Sequence, residues 1–193
     1  MRLKIVSVGE PVLRAASHEL SKERILSPPI QNLIEYMRET VRDAPGVGLA
    51  APQVGEPLQL AVIEDKLEYH KTLTEKELEE RGRSAIPFHV IVNPVLELLT
   101  EPTETFFEGC LSLPGFTALV ARAKEVRVHC LDHRGEPRII HASGWYARIL
   151  QHEIDHLHGT LYIDRMQTRS FATLDNYTRH WKDRQASHAV SEG

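Results

Sequence analysis

Five consecutive residues, His152-Glu153-Ile154-Asp155-His156, constrain this chain more than any other feature. They fall inside a helix expected over Trp145 to His158, with Ser143 as a capping side chain before it and Gly159 where a C-terminal glycine belongs. At about 100° per residue, positions four apart stand about 40° apart on the helix surface, so both imidazoles project from one face. Trp145 and Ile149 continue the stripe that His152 and His156 occupy. Histidines and an acid on a core-facing stripe need a reason, because unpaired polar groups are costly to bury. A shared metal ion is such a reason, and H-E-x-x-H on a helix is its sequence form. Glu153, one residue on, points beside the ion, where it can hold and deprotonate a metal-bound water. For so short a string the plain alternative is a surface helix whose histidines bind nothing.

A catalytic site of this kind needs a third protein ligand and an open position. Downstream the options are poor. Tyr162 stands where a metzincin places its third histidine, although Gly159 fits that pattern, and the only glutamate well downstream is Glu192. His158 points to a different side of the helix. The third ligand is therefore expected upstream, and a thiolate is the candidate. The chain has two cysteines, too few for a disulfide scaffold, which fits a reducing compartment. Cys130 sits inside a strand pattern and reads as core. Cys110 lies in Glu108-Gly109-Cys110-Leu111-Ser112-Leu113-Pro114-Gly115, where glycines and a proline shape the backbone. A His, His, Cys set with a water would be tetrahedral and open.

Elsewhere the elements alternate irregularly. Ser27-Pro28-Pro29 reads as a helix start, and Ile30, Leu33, Ile34, Met37 and Val41 follow at helical spacing up to about residues 43–45. Residues 59–63, 90–92, 95–99, 126–131 and 137–141 read as strands, the last two as a hairpin around Asp132-His133-Arg134-Gly135-Glu136. The charged stretch 64–82 is expected as an exposed loop or short helix. The fold class that follows is α+β, with small mixed or antiparallel sheets packed around a central helix that carries the H-E-x-x-H motif. One domain is expected over residues 1–165, followed by a polar tail, 166–193, partly helical or frayed.

Three segments in this order resemble the signature motifs of peptide deformylases: Gly46-Val47-Gly48-Leu49-Ala50-Ala51-Pro52-Gln53-Val54-Gly55, Glu108 to Leu113, and Gln151 to His156. The resemblance spans about residues 1–165 and implies a metal-dependent hydrolase that releases formate from the N-formylmethionine of nascent polypeptides. It implies that Cys110, His152 and His156 hold the metal and that Glu153 is general base and acid. Gln53 and the backbone N–H of Leu111 would stabilise the oxyanion. Gly46, Val47 and Gly48 would pair with the extended peptide, and Gly109 and Ile149 would line its pocket. The implied cofactor is one divalent ion, ferrous iron in the cell, with zinc, nickel or cobalt able to take its place. Ferrous iron beside a thiolate implies oxygen sensitivity. Glu108 and Arg122 match positions that pair in the family. Ala142-Ser143-Gly144-Trp145, Gly115-Phe116-Thr117 and residues 170–176 look more like the organellar-type subgroup, which implies an altered methionine pocket. A C-terminal extension in the family can contact the ribosome, and Arg179, Lys182 and Arg184 would serve there.

Two rivals stay open on sequence: an H-E-x-x-H metalloendopeptidase, and an inactive homologue that binds formylated peptides. Gly46-x-Gly48-x-x-Ala51 mimics a dinucleotide fingerprint, but it follows a helix and runs into Pro52, so nucleotide binding is not expected. The net charge of −4 argues against broad nucleic-acid binding, and no DNA partner is expected. No apolar run approaches the roughly 20 residues that span a bilayer, and no secretory h-region opens the chain. A cytoplasmic location, or a processed organellar form, is expected.

Overall fold

The prolines at 28 and 29 start a helix because their missing N–H groups fall where a helix has no acceptor for them. The computed structural model describes residues 1–44 and 46–182. In it α1 (Lys22–Leu26) begins with the Ser21 hydroxyl accepting from the Arg24 N–H, and α2 (Pro28–Asp43) follows directly. Ser27, at the N-cap position of α2, makes no side-chain cap bond and donates its hydroxyl to the Arg24 carbonyl at 2.6 Å. The stripe Ile30, Ile34, Met37 and Val41 is buried, as its spacing requires. Residues 1–7 join no sheet, and Val8 and Gly9 form a turn. Their Val6 and Val8 N–H groups donate to the carbonyls of Gln53 and Ser112, tying the first two motifs together.

Two antiparallel sheets form the rest. The larger contains β1 (Gly48–Ala50), β2 (Leu60–Asp65), β3 (Ile86–Leu98), β6 (Glu125–Leu131) and β7 (Pro137–Ser143) in the order β1-β2-β3-β6-β7. The smaller contains β4 (Glu104–Cys110), β5 (Leu113–Arg122) and β8 (Ala172–Thr173) in the order β4-β5-β8. Thus β1 and β4 are both edge strands. The β6–β7 hairpin turns where expected: the Asp132 carboxylate accepts from the N–H groups of Arg134 and Glu136, and Gly135 has φ +70°.

Three expectations need correction. The two strands placed at 90–92 and 95–99 are one strand, β3. Asn93 adopts φ +48° and the register shifts there, while its side-chain amide holds the Leu20 N–H and C=O at 2.9 Å each. The charged stretch 64–82 is not wholly an exposed loop. Glu64 and Asp65 complete β2 and are buried, and only then come α3 (Leu67–His70) and α4 (Glu75–Glu80). Ser143 occupies the N-cap position of α5 (Gly144–Leu157) but makes no side-chain cap bond.

Helix α5 is central. It packs on β1, β2, β3, β6 and β7, and Ile149, Leu150, Ile154 and Leu157 join one core with Ile63, Ile91, Val126 and Val128. Gly159, at φ +71°, ends it. The segment expected as a tail carries β8 and then α6 (Leu174–His180), whose Tyr177 packs on Phe107 of β4 at 4.7 Å between ring centroids. Arg184 and residues 187–193, named above for ribosome contact and fraying, lie outside the described residues.

Candidate metal centre

The four-residue spacing on α5 brings the rings of His152 and His156 to 5.0 Å between centroids, edge to face. Cys110, at the end of β4, places Sγ 3.3 Å from His156 Nε2. One donor atom from each of Cys110, His152 and His156 lies within 4.8 Å of the others. Donors bound to one ion at roughly 2.0–2.3 Å in a tetrahedron stand about 3.3–3.8 Å apart, so this set fits such an ion. The remaining nitrogens agree. His152 Nδ1 is held by Glu108 at 3.0 Å, which fixes its tautomer and leaves Nε2 as the ligand atom. Burial holds His156 well below its ordinary pKa, which favours the neutral form a ligand needs. At His152 burial is outweighed by Cys110 and Glu108, which raise its pKa, so a bound ion would displace a proton there. Cys130 is buried in the main core, far from this role.

Glu108 is the hub of the surroundings. Its side chain and that of Cys110 both reach α5, across a register irregularity of β4 that lies between them. Arg122 reaches it through Nε and Nη2, both at 3.0 Å, and Arg148 Nη1 at 2.6 Å. Arg122 also reaches Asp155 at 2.5 Å. Burial works against the charge of Glu108, but hydrogen bonds from His152 and Arg122 outweigh it and hold the carboxyl well below its ordinary range. The Glu108–Arg122 pair is therefore buried, not an ordinary surface pair.

Glu153 is the opposite case. It is 4% exposed, and its Oε2 makes no hydrogen bond to the protein. Burial pushes its carboxyl up to about 7. It packs directly under the backbone of Gly48, where a Cβ would stand 2.3 Å from its Oε1. Gly46 is similarly tight, with a Cβ 2.8 Å from the Leu111 side chain. On the other side Gln53 is fixed by its Oε1 accepting from the Ala50 N–H at 2.9 Å, which directs Nε2 toward Cys110 Sγ at 3.4 Å and Ser112 Oγ at 3.3 Å.

These groups share the wall of one cavity of about 510 Å³. Gly46, Val47, Gly48, Gln53, Gly109, Cys110, Leu111, Ile149, His152 and Glu153, all singled out in the sequence, line it; His156 is outside the lining and reaches the site through Cys110 Sγ. The sequence reading missed Arg148, the tie from Glu108 to His152, and Ser112 beside Gln53. The first two had a signal: Glu108 and Cys110 share strand parity, and Arg148 precedes His152 by one helical turn. It also missed Arg81, just past α4, which stacks on Trp145 at 4.9 Å from the ring centroid, and Tyr177 of α6; Leu174, also in the lining, belongs to the 170–176 segment named above for the pocket.

Fold and donor set together define a class: α+β domains with a one-cysteine, two-histidine site built on an H-E-x-x-H helix. The chain matches the family model described as Polypeptide deformylase over residues 2–172, and it belongs to that family. It is 49% identical over 172 residues to a protein named Peptide deformylase 1A, chloroplastic, of Solanum lycopersicum, a match covering 89% of this chain and 62% of the relative. The chain thus spans less than two thirds of that relative's length. Among solved structures it resembles a peptide deformylase from Synechococcus elongatus in complex with actinonin (36% identity, TM-score 0.73, 86% of this chain and 80% of the other). It also resembles a Met-Ala-Ser-bound class I type b peptide deformylase from Acinetobacter baumannii (29% identity, TM-score 0.76, 86% and 99%).

Proposed function

We propose that this protein hydrolyses the formyl group of N-formylmethionyl peptides to formate and a free amino terminus. The observation that carries the reading is the meeting of Cys110, His152 and His156 with an unpaired, buried Glu153 in a cavity bordered by two strand edges. An extended peptide can enter between β1 and β4, where Gly46 to Gly48 offer backbone to pair with. The relative from A. baumannii that holds Met-Ala-Ser supports a peptide as the ligand. The apolar recess beside Trp145 and Ile149 takes the methionine side chain.

Cys110, His152 and His156 would hold a divalent ion, ferrous iron in the cell, whose Lewis acidity brings the pKa of a water toward neutrality. Glu153, with a carboxyl near neutrality, takes the proton from the attacking water and gives it to the departing amine. Gln53 Nε2 and the Leu111 N–H donate to the oxygen on which negative charge develops. Glu108 orients His152 and touches no reacting atom. The site of action is a compartment whose translation begins with formylmethionine; the named plant relative is chloroplastic. Among the described residues no helix is long and apolar enough to cross a membrane. Arg179 and Lys182 are exposed near the end of α6, where a transient ribosome contact would form.

The test is formate release from a formyl-Met peptide by anaerobically prepared protein loaded with ferrous iron or nickel. Glu153→Ala should lower turnover by at least about a thousandfold with the metal still bound. Near-normal rates in that variant would remove the mechanism. Cleavage of internal bonds in unformylated peptides without formate release would favour an endopeptidase.

A further inference from the structure

Resting on that reading, we propose that Tyr162 is a positioning residue for the metal centre, whose hydroxyl donates a hydrogen bond to the Cys110 thiolate that holds the ion. Tyr162 is 1% exposed, yet its hydroxyl oxygen, shut away from water, makes no hydrogen bond. The chain places this side chain firmly. After Gly159 the backbone turns back, Leu161 is buried, and Tyr162–Asp164 form one helical turn that packs on β4. The Asp164 carboxylate accepts from the Leu161 N–H at 2.8 Å and from Arg14, while Arg165 forks onto Asp155 of α5 with two bonds of 2.7 Å. The Tyr162 ring is thereby fixed nearly parallel to that of His152, at 6.4 Å between centroids, and packs in a small cluster with Leu113, Val120 and Cys110.

A phenylalanine would fill the same space without burying an unpaired hydroxyl, so the hydroxyl calls for an acceptor in the working molecule. Burial first, then the charges of Cys110 and Glu108, push the phenol well above its ordinary pKa, so it stays a donor. Glu108 has no room for it. Its Oε1 receives Arg122 Nε and Arg148 Nη1, and its Oε2 receives Arg122 Nη2 and His152 Nδ1, which fills the four lone-pair sites of a carboxylate. Cys110 is left. A thiol is a weak acceptor, but a cysteine that holds an ion is a thiolate, and an ionised acceptor makes the stronger bond. Gln53 Nε2 also faces this sulfur, at 3.4 Å, but the proposed reaction turns that N–H to the oxygen where charge develops. Tyr162 then remains as the side-chain donor to the sulfur throughout the reaction. A hydrogen bond there draws electron density from the sulfur and so sets how strongly it donates to the ion.

The experiment uses the full chain loaded with cobalt, whose thiolate-to-metal charge-transfer absorption reports on the sulfur directly. In Tyr162→Phe that band should move to longer wavelength, and the ion should bind about tenfold more weakly. Denaturant unfolding supplies a second reading. Stripped of metal by a chelator, Tyr162→Phe should be at least as stable as wild type, since it loses only an unpaired hydroxyl. At one fixed concentration of nickel it should gain less stability than wild type does. Tyr146→Phe, whose hydroxyl instead meets His89 Nε2 at 2.9 Å, should leave the band and the metal affinity unchanged. A band that stays at the wild-type wavelength in Tyr162→Phe overturns the role of Tyr162, while the hydrolase reading stands on formate release. A cobalt-loaded wild type without any thiolate band would remove Cys110 from the ligands, and both readings would fall.

Discussion

Asp65, at the end of β2, receives Arg83 through Nε at 2.8 Å and Nη2 at 2.9 Å, with His70 Nε2 at 3.1 Å. Glu108, in β4, receives Arg122 through the same two nitrogens and His152 through Nδ1. Both are buried acids held by an arginine fork and a histidine. They differ in what the histidine does next. His70 approaches Asp65 without the alignment of a hydrogen bond, and the cluster joins the charged 64–82 segment to the main sheet. His152 is aligned by Glu108 and turns its other nitrogen toward Cys110 and His156. What separates the two clusters is that the free nitrogen of His152 faces two further ligand atoms, on Cys110 and His156.

The largest expected effect separates the two clusters. Glu108→Ala leaves Arg148, and Asp65→Ala leaves Arg83, without its counter-charge, a loss of about 3–5 kcal/mol in denaturant unfolding. Metal affinity of the folded molecule should fall, by about tenfold to a hundredfold, only in Glu108→Ala. Equal metal loss in Asp65→Ala would erase the distinction. The histidines sharpen the contrast. His152→Gln removes a ligand atom and should lower metal affinity further than Glu108→Ala does, whereas His70→Gln should leave metal titrations unchanged. The smallest concerns Glu64, next to Asp65. Hydrogen bonding from Arg42 holds its carboxyl below the ordinary value, so the pair stabilises the fold above pH 4.5 and that contribution is lost as the pH falls through the lowered folded value. Arg42 is 39% exposed, so solvent screens the pair, and Glu64→Gln should cost under about 1 kcal/mol at pH 7. The difference from wild type should vanish in melts at strongly acid pH. A difference that grew toward acid would invert the assignment.

The α5 motif was legible because a 3.6-residue period places His152 and His156 on one face whatever surrounds them. The ligand from β4 was legible because only two thiols exist and one sits in a strand pattern. The β4–β5 hairpin was not. Phe106-Phe107 and Ala118-Leu119-Val120 are apolar runs without alternation, since the small sheet is covered on both faces. Asn93-Pro94 read as a break because neither residue suits a strand interior, yet the Asn93 amide restores the missing bonds to Leu20. The part of α6 in the cavity was hidden for a different reason. Nothing local to Leu174 or Tyr177 records that the chain returns across Phe107.

Gly48 carries a consequence for how such a molecule can change. One absent methyl group lets the Glu153 carboxylate rest against the edge of β1. The rail that guides a peptide and the group that moves its proton are thereby built back to back. Neither can be shifted, thickened or redesigned alone. A lineage exploring new substrates through β1 would disturb its own proton carrier at the first step, and so variation should collect across the cleft, on the α6 side.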